Sequence, residues 1–495
     1  MPHARAFTPA WLAGDPVAER FLPRPTDHAG AVARAAARTV HPAVLAAMAA
    51  VHPAQQASRD ALAAGAVAVV TGQQAGLFGG PLYTLYKTAS AVANARALAA
   101  ETGTPCVPVF WLQSEDHDFA EIASATLLAA DGGLRRVWVE EDPADAGKSV
   151  AHRRWGPSVL VALDATADAL AGLPHADETM ALLRACYAPD HSPAASMRAL
   201  IDALFGPHGV LVVDPSDLAD AAAPFHQRAV HDAAGISTAL EARSAELETA
   251  GFAVQVHVRP GAPLAFHHAD GPRGPRRRVD AGVDGGSWST SALLRPLLQD
   301  AWLPTAAYVG GPAEIAYLAQ LPPVYARLGM DMPLVVPRAR LRVVDDGSRK
   351  LLDQLGIHAD ALGQPRDTVL AGLVPADDAG IRGALAGLTG ALDGFAPLAA
   401  TLDPGLAKAT AKTAATVTDA VGRLVDRYRR VMAERDAVTA GRLDRLRARL
   451  QPDGVPQERV HTFPSFAARY GPDAFVTAVI DATVPFDGSL RDLTP

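Results

Sequence analysis

Cysteine is scarce in this chain: Cys106 and Cys186 are the only two among 495 residues, and they stand far apart. A disulfide framework and a C-x-x-C metal site are therefore excluded. Basic charge is not in excess either. The formal net charge is −8 and the pI near 6.0, which argues against a chain that coats nucleic acid, since neutralising many phosphates needs a basic surface. No run of about 18 apolar residues is found, and the start, "MPHARAFTPAWLAGDP", has no apolar signal core, so a cytoplasmic protein with no membrane partner is expected. Neither G-x-x-x-x-G-K-[ST] nor G-x-G-x-x-G occurs at the glycine-rich turns discussed below. Aromatic residues make up only 6%, whereas alanine is abundant and blurs every periodicity.

What is present is a 49% hydrophobic, 20% charged chain long enough for two to four domains. "AVAVV" (66–70) runs into "TGQQAGLFGGPLYTLYK", and "CVPVFWL" (106–112) runs into "QSEDHDFAEI", with a helix expected from Pro81 to about Glu101 between them. Strand, helix, strand is a βαβ unit, so a parallel sheet with ligands at its strand C-termini is expected. "GVLVVDPSD" (209–217), "LPTAAYVGGPAEIAYLAQL" (303–321) and "MPLVVPRARLRVV" (332–344) repeat the theme. "FAVQVHV" (252–258) alternates as a strand does, and "ADGPRGPRRRVDAG" (269–282) reads as an exposed hairpin tip. From about 380 to 450 the sequence is helical, and Val417, Val421, Leu424, Tyr428 and Val431 follow the 4-3 spacing of a coiled-coil seam, to be buried in a dimer or in an intramolecular hairpin of 382–400 against 405–450. Residues 401–450 hold 11 basic and 6 acidic side chains, a mixture that reads as a solvated face rather than a nucleic-acid surface.

Three polar clusters fall at expected strand ends. In the first, Gly72, Gly76, Gly79 and Gly80 free the backbone to converge on an anion. Pro81 suits a first helical position, and Gln73, Gln74, Tyr83 and Lys87 stand beside the turn. Lys87 leans back toward the loop, because helical side chains tilt N-terminally. A plain βα turn with a surface lysine is the competing reading. The second cluster, Glu115, Asp116, His117 and Asp118, suits an ammonium group or a general base, with helix capping as the alternative. No metal is expected there, because one histidine among crowded acids lacks zinc-ligand spacing. The third has Gly310 and Gly311 before Pro312, with Glu314 in the first turn and Arg295 and Gln299 upstream; capping competes with substrate binding.

"TGQQAGLFGGPLYTLYK", "PVFWLQSEDHDFAEI", "LLRPLLQDAWLPTAAYVGGPAEIAYLAQL" and the tail "QERVHTFPSFAARYG" resemble, in this order, the bacillithiol-synthesis cysteine ligase family, BshC. The resemblance spans nearly the whole chain. It implies an α/β, Rossmann-like parallel-sheet core, similar to class I aminoacyl-tRNA synthetases and nucleotidyltransferases, over residues 1–380. Insertions at about 120–205 and 220–290, a helical coiled coil at 381–450 that supports a homodimer, and a segment 451–495 returning to the core complete it.

The implied reaction joins cysteine by an amide bond to glucosaminyl-malate, with ATP and a cysteinyl-adenylate. On that basis the opening loop and Lys87 would hold phosphates, and the acidic cluster would bind the cysteine ammonium or deprotonate the sugar amine. Asp116 and His117 are the expected bases, and Arg295 with Gly310–Gly311 would hold the malate carboxylates. The chain departs from the family at Gly79, where Thr is usual, at Ser114, where Gly is usual, and at "PLAF" (263–266), where Asn-Leu-Phe is expected. Two other classes stay open: another amino-acid-activating or nucleotidyl-transferring enzyme on this fold, and a non-catalytic coiled-coil scaffold.

Overall fold

A computed structural model of the chain describes residues 4–279, 283, 286–374 and 379–495. The chain divides into two compact units, Met1–Val343 with Glu458–Pro495, and Val344–Gln457.

The first unit is built on a five-stranded, wholly parallel sheet of β1 (Val67–Gln73), β2 (Cys106–Leu112), β3 (Leu211–Val213), β4 (Thr305–Gly310) and β5 (Leu334–Pro337). Its order is β3-β2-β1-β4-β5. Strand order reverses between β1 and β4, and in such sheets the ligand crevice opens there, outside the strand C-termini. β1 is apolar on both faces because both are covered. Val67 and Val69 pack with Ala91, Ala95 and Leu98 of α1 (Tyr83–Thr102), whereas Ala68 and Val70 pack on the other side with Val109 and Trp111 of β2. Ala91 and Ala95 lie buried in this interface, where small side chains let the helix approach the sheet. Two of its buried polar side chains bond within the helix, Thr88 to Thr84 O at 2.9 Å and Asn94 to Ser90 O at 2.7 Å. Gly103, at φ 71°, ends α1 in the left-handed conformation.

Between β2 and β3 come a hairpin, Ser124–Leu128 with Leu134–Trp138, and three helices covering residues 158–205. Two helices (219–249) and a second hairpin, Ala265–His268 with Ser287–Thr290, precede α2 (Arg295–Trp302), β4, α3 (Pro312–Leu318) and β5. The closing segment packs Phe463, Phe466, Phe475 and Val479 into the core beside Leu82 and Tyr86, and Leu490–Leu493 pairs in parallel with Arg340–Val343.

One sequence expectation is corrected here, and two gain detail. Residues 252–258 alternate in burial but form no strand: Phe252 makes a single bridge to Arg5, and the Gln320 side chain accepts from Val256 N–H at 3.1 Å and donates to Val256 O at 2.9 Å. The compact helical unit runs from Val344 to Gln457 and takes in more than the helical segment 381–450. The helices Asp346–Leu355 and Arg366–Leu373 contribute Leu355, Val369 and Leu370 to one core with Leu443, Leu446 and Leu450. Finally, one helix is long and apolar enough to cross a membrane by length and composition, over Arg382–Leu402, although it carries Asp393 and Pro397. It lies within α4 (Ala379–Leu402), which folds back on α5 (Pro404–Arg435) as a helical hairpin, followed by α6 (Ala437–Leu450).

Candidate active site

A cleft of about 390 Å³ opens at the C-terminal ends of the sheet. Gln73 and Gln74 follow β1, Glu115 and Asp116 follow β2, Gly311 and Glu314 follow β4, and Arg338 follows β5; Tyr83, Lys87 and Arg295 complete its wall from α1 and α2. A second cleft of about 320 Å³ shares Asp116, Glu121 and Arg276 with it and is lined further by His117, Asp118 and Phe266.

Lys87 is 2% exposed, and each of its three N–H donors has an acceptor: Gly72 O, Gln73 Oε1 at 3.1 Å and Glu314 Oε2 at 2.5 Å. Burial pulls the ammonium below its ordinary pKa against the pull of Glu314. Glu314 also accepts from the Tyr308 hydroxyl at 2.6 Å and from Gly311 N–H at 2.8 Å, so it caps α3 while it neutralises Lys87. Burial pushes the Glu314 carboxyl upward, but Lys87 and Arg295 outweigh that and hold it below the usual range. Lys87 thus reaches back to the turn, as the tilt of helical side chains implies, and is a buried residue rather than a surface lysine; it ties the turn after β1 to the turn after β4.

The N–H groups of the glycine turn are bonded within the protein. Gly76 N–H bonds Gln74 O at 3.0 Å, Gly80 N–H bonds Leu77 O at 3.0 Å, and Gly79 N–H is shared by Gly76 O and the Tyr187 hydroxyl, both at 3.1 Å. Leu77 and Phe78 are fully buried, Gly76 and Gly80 line no part of the cleft, and their amides present no cradle to an anion. Pro81 is not the first helical residue. It bridges Thr462, Leu82 N–H donates to His461 O at 2.8 Å, and α1 starts at Tyr83.

The acidic cluster separates by environment. Asp116 accepts from Gln74 at 2.7 Å, from its neighbour's His117 N–H at 2.7 Å and from Arg276 at 3.2 Å. Burial alone would raise its pKa, yet Arg276 and these hydrogen bonds hold it below the usual range. Glu115 is the opposite case: burial pushes it up, against hydrogen bonds from the Thr290 hydroxyl at 2.5 Å and N–H at 3.2 Å. His117 and Asp118 are exposed and face the second cleft, and Asp118 caps the short helix Phe119–Ile122 through Glu121 N–H at 3.3 Å.

Arg295 is 4% exposed, with its terminal nitrogens on Gln299 at 2.9 Å, Tyr308 at 3.0 Å and Tyr317 at 3.2 Å. Gln299 and Gly310 lie behind the cleft wall: Gln299 links Arg295 to Asp300, and Gly310 pairs with Pro337 in the sheet. The sequence reading missed Arg276, Glu121, Arg338 and Arg459. Arg276 sits in the segment read as an exposed tip, yet it is 8% exposed, bonded to Glu115 O at 2.7 Å and Thr290 O at 2.9 Å, and stacked over Phe266. The "RRR" run was the only sign of it. Ser114, where the family usually has Gly, directs its hydroxyl to Asp214. Among the described residues no three His, Cys, Asp or Glu side chains cluster to hold a metal.

The sequence has relatives among known proteins. Residues 33–284 and 284–339 match the family model described as bacillithiol biosynthesis BshC, N-terminal Rossmann-like domain. Residues 381–490 match the C-terminal coiled-coil domain of the same family. The chain belongs to the BshC family. A relative from Koribacter versatilis, named "Putative cysteine ligase BshC", is 34% identical and covers 87% of this chain and 84% of its own length. Relatives of the same name from Solibacter usitatus and Salinibacter ruber are 32% and 31% identical, covering 87% and 82% of this chain and 85% and 79% of their own lengths. Within the BshC framework, the Rossmann-like match contains Lys87, Glu115, Asp116, Arg276, Arg295 and Glu314, and the coiled-coil match contains Arg459.

Proposed function

We propose that the chain is a carbon–nitrogen ligase of bacillithiol synthesis that joins the carboxyl of L-cysteine to the amine of glucosaminyl-malate. Family membership supports the pathway, and the observation that carries the chemistry is the pair Glu115 and Asp116, adjacent carboxyls pushed to opposite sides of their ordinary pKa. Such a pair divides the work. Asp116, held ionised and joined through Gln74 to Glu121, forms an anionic face for an ammonium group. Glu115, raised by burial and lining the cleft, is the carboxyl proposed to take the proton that an attacking amine must release. Glu115 therefore replaces Asp116 and His117 as the proposed base.

A carboxylate does not acylate an amine at neutral pH unaided, so the cysteine carboxyl needs an activating cosubstrate, for which ATP is the proposal. The Gly76–Gly80 turn does not fit a phosphate role, and no step is placed there. Incubating the protein with cysteine and glucosaminyl-malate, with and without ATP, tests the scheme. The thiol product is expected only with ATP. Product without nucleotide removes ATP from the scheme, and no product in either arm removes the ligase assignment. Pyrophosphate exchange driven by a different amino acid would favour another activating enzyme on this fold. A cytoplasmic homodimer joined through the coiled-coil unit completes the proposal.

A further inference from the structure

Five cations line the cleft, and four are engaged. Lys87 bonds Gly72, Gln73 and Glu314; Arg276 bonds Glu115, Asp116 and Thr290. Arg295 is held by Gln299, Tyr308 and Tyr317, and Arg338 is paired with Glu458 through two bonds of 2.8 and 2.7 Å. Arg459 is the exception. It is exposed at the cleft rim and makes no hydrogen bond or ion pair with any described residue. Its charge reaches Tyr83 in the cleft wall, where it opposes the burial that raises that phenol.

Unpartnered arginines are ordinary at a protein surface, but two features set this one apart. Its backbone is pinned on both sides: Glu458, 4% exposed, clamps Arg338, while His461 O accepts from Leu82 N–H at 2.8 Å and Thr462 N–H donates to Thr126 O at 3.0 Å. A side chain mounted on ordered backbone has less to lose on binding. The other four cations of the cleft each have bonded partners, so among the described residues Arg459 is the one whose whole planar fork is free, and a fork of that shape suits an oxyanion held through two parallel bonds.

We propose that Arg459 is the anion-recognition residue of the cleft, taking a carboxylate or phosphate group of a substrate through its guanidinium. The inference rests on the reading of the cleft as a substrate site. The oxyanion has two sources there, the dicarboxylate arm of the acceptor or the phosphates of a nucleotide, and one experiment separates them. The full-length protein and its R459Q and R459K variants are titrated calorimetrically with malate and, separately, with ATP. At least one probe is expected to bind the wild type, with R459Q about tenfold or more weaker and R459K recovering part of the loss, because lysine keeps the charge but not the fork. The probe that responds names the source. In turnover, KM for that substrate rises by a similar factor while kcat stays near wild type.

Unchanged binding of both probes to R459Q overturns the proposal, as does a wild type that binds neither. If the wild type makes the thiol product and R459Q shows the same KM for every substrate, the ligase reading stands and this inference fails. If no product forms but R459Q still loses malate or ATP binding, the inference stands and the ligase reading fails.

Discussion

A buried lysine needs its charge cancelled where it sits, and Glu314 does that for Lys87 at 2.5 Å. Removing one partner of a buried pair leaves an uncompensated charge, at a cost of about 3–5 kcal/mol, whereas removing both is far milder. Lys87→Met is therefore expected to lower stability by about 3 kcal/mol, and Lys87→Met with Glu314→Gln by clearly less. Urea midpoints of the two variants check this, and equal losses would mean that the pair is not coupled.

Glu115 and Asp116 give opposite pH signatures. The Glu115 carboxyl titrates higher folded than unfolded, so its contribution to stability is fully present below its unfolded pKa of about 4.3 and is lost as pH rises through the folded value. Glu115→Gln removes that loss, and its unfolding midpoint at neutral pH is expected at or above wild type while turnover falls by about 100-fold or more. Asp116 titrates lower folded than unfolded, so its contribution is present above about 3.9 and is lost as pH falls through the folded value. Asp116→Asn forfeits it and flattens the acid limb of the stability curve. Urea unfolding from about pH 3 to pH 7 reads both signs.

At the scale of elements, the glycine turn after β1 is a packed plug and not a cradle. A Cβ on Gly76 would lie 2.7 Å from Gly80 Cα, a backbone atom that has no free direction to move. Gly76→Ala is expected to cost about 1–3 kcal/mol by overpacking, seen as a lowered calorimetric melting temperature, while malate and ATP binding persist in the protein that remains folded. A variant of wild-type stability that no longer bound either would restore the cradle.

This turn also marks where sequence reading stops. The residues 106–112 are legible as a strand because an all-apolar run between polar turns has one economical fate, burial on both faces of a parallel sheet. The strand-end positions of Glu115, Asp116 and Glu314 follow from the same logic. A glycine cluster before a helix is ambiguous, since what its N–H groups bond depends on Tyr187, more than 100 residues away. Residues 252–258 mislead for a like reason: their alternation is real, but the partner is the Gln320 side chain and not a strand. Arg276 is invisible for a third reason. Nothing local distinguishes it from Arg277 and Arg278, and only the hairpin that carries it back to Glu115 and Asp116 does so.

At the scale of the molecule, the helical unit presents an unfinished seam. Val417 and Val421 are half-buried within it, but Leu424 and Val431 of the same expected seam stay exposed, seven residues apart. On α4, Leu388, Phe395 and Leu402 are exposed at the same seven-residue interval, with Leu398 between the last two. The hairpin of α4 on α5 therefore buries one stripe and leaves another open, where a second copy of the arm would complete a coiled-coil layer. Burying a large apolar side chain is worth about 1.5–3 kcal/mol, so six such residues reach the range of the about 4–15 kcal/mol that association costs. Light scattering is expected to find the wild type at about twice the 51.5 kDa chain mass, and Leu398→Glu with Leu402→Glu near the single-chain value, because the two carboxylates would have to be buried in the layer. Both positions are exposed within one chain, so the fold of the arm should survive, and helical circular dichroism should match the wild type. A wild type of single-chain mass, or a double variant that remains dimeric, would show that this stripe does not join two copies.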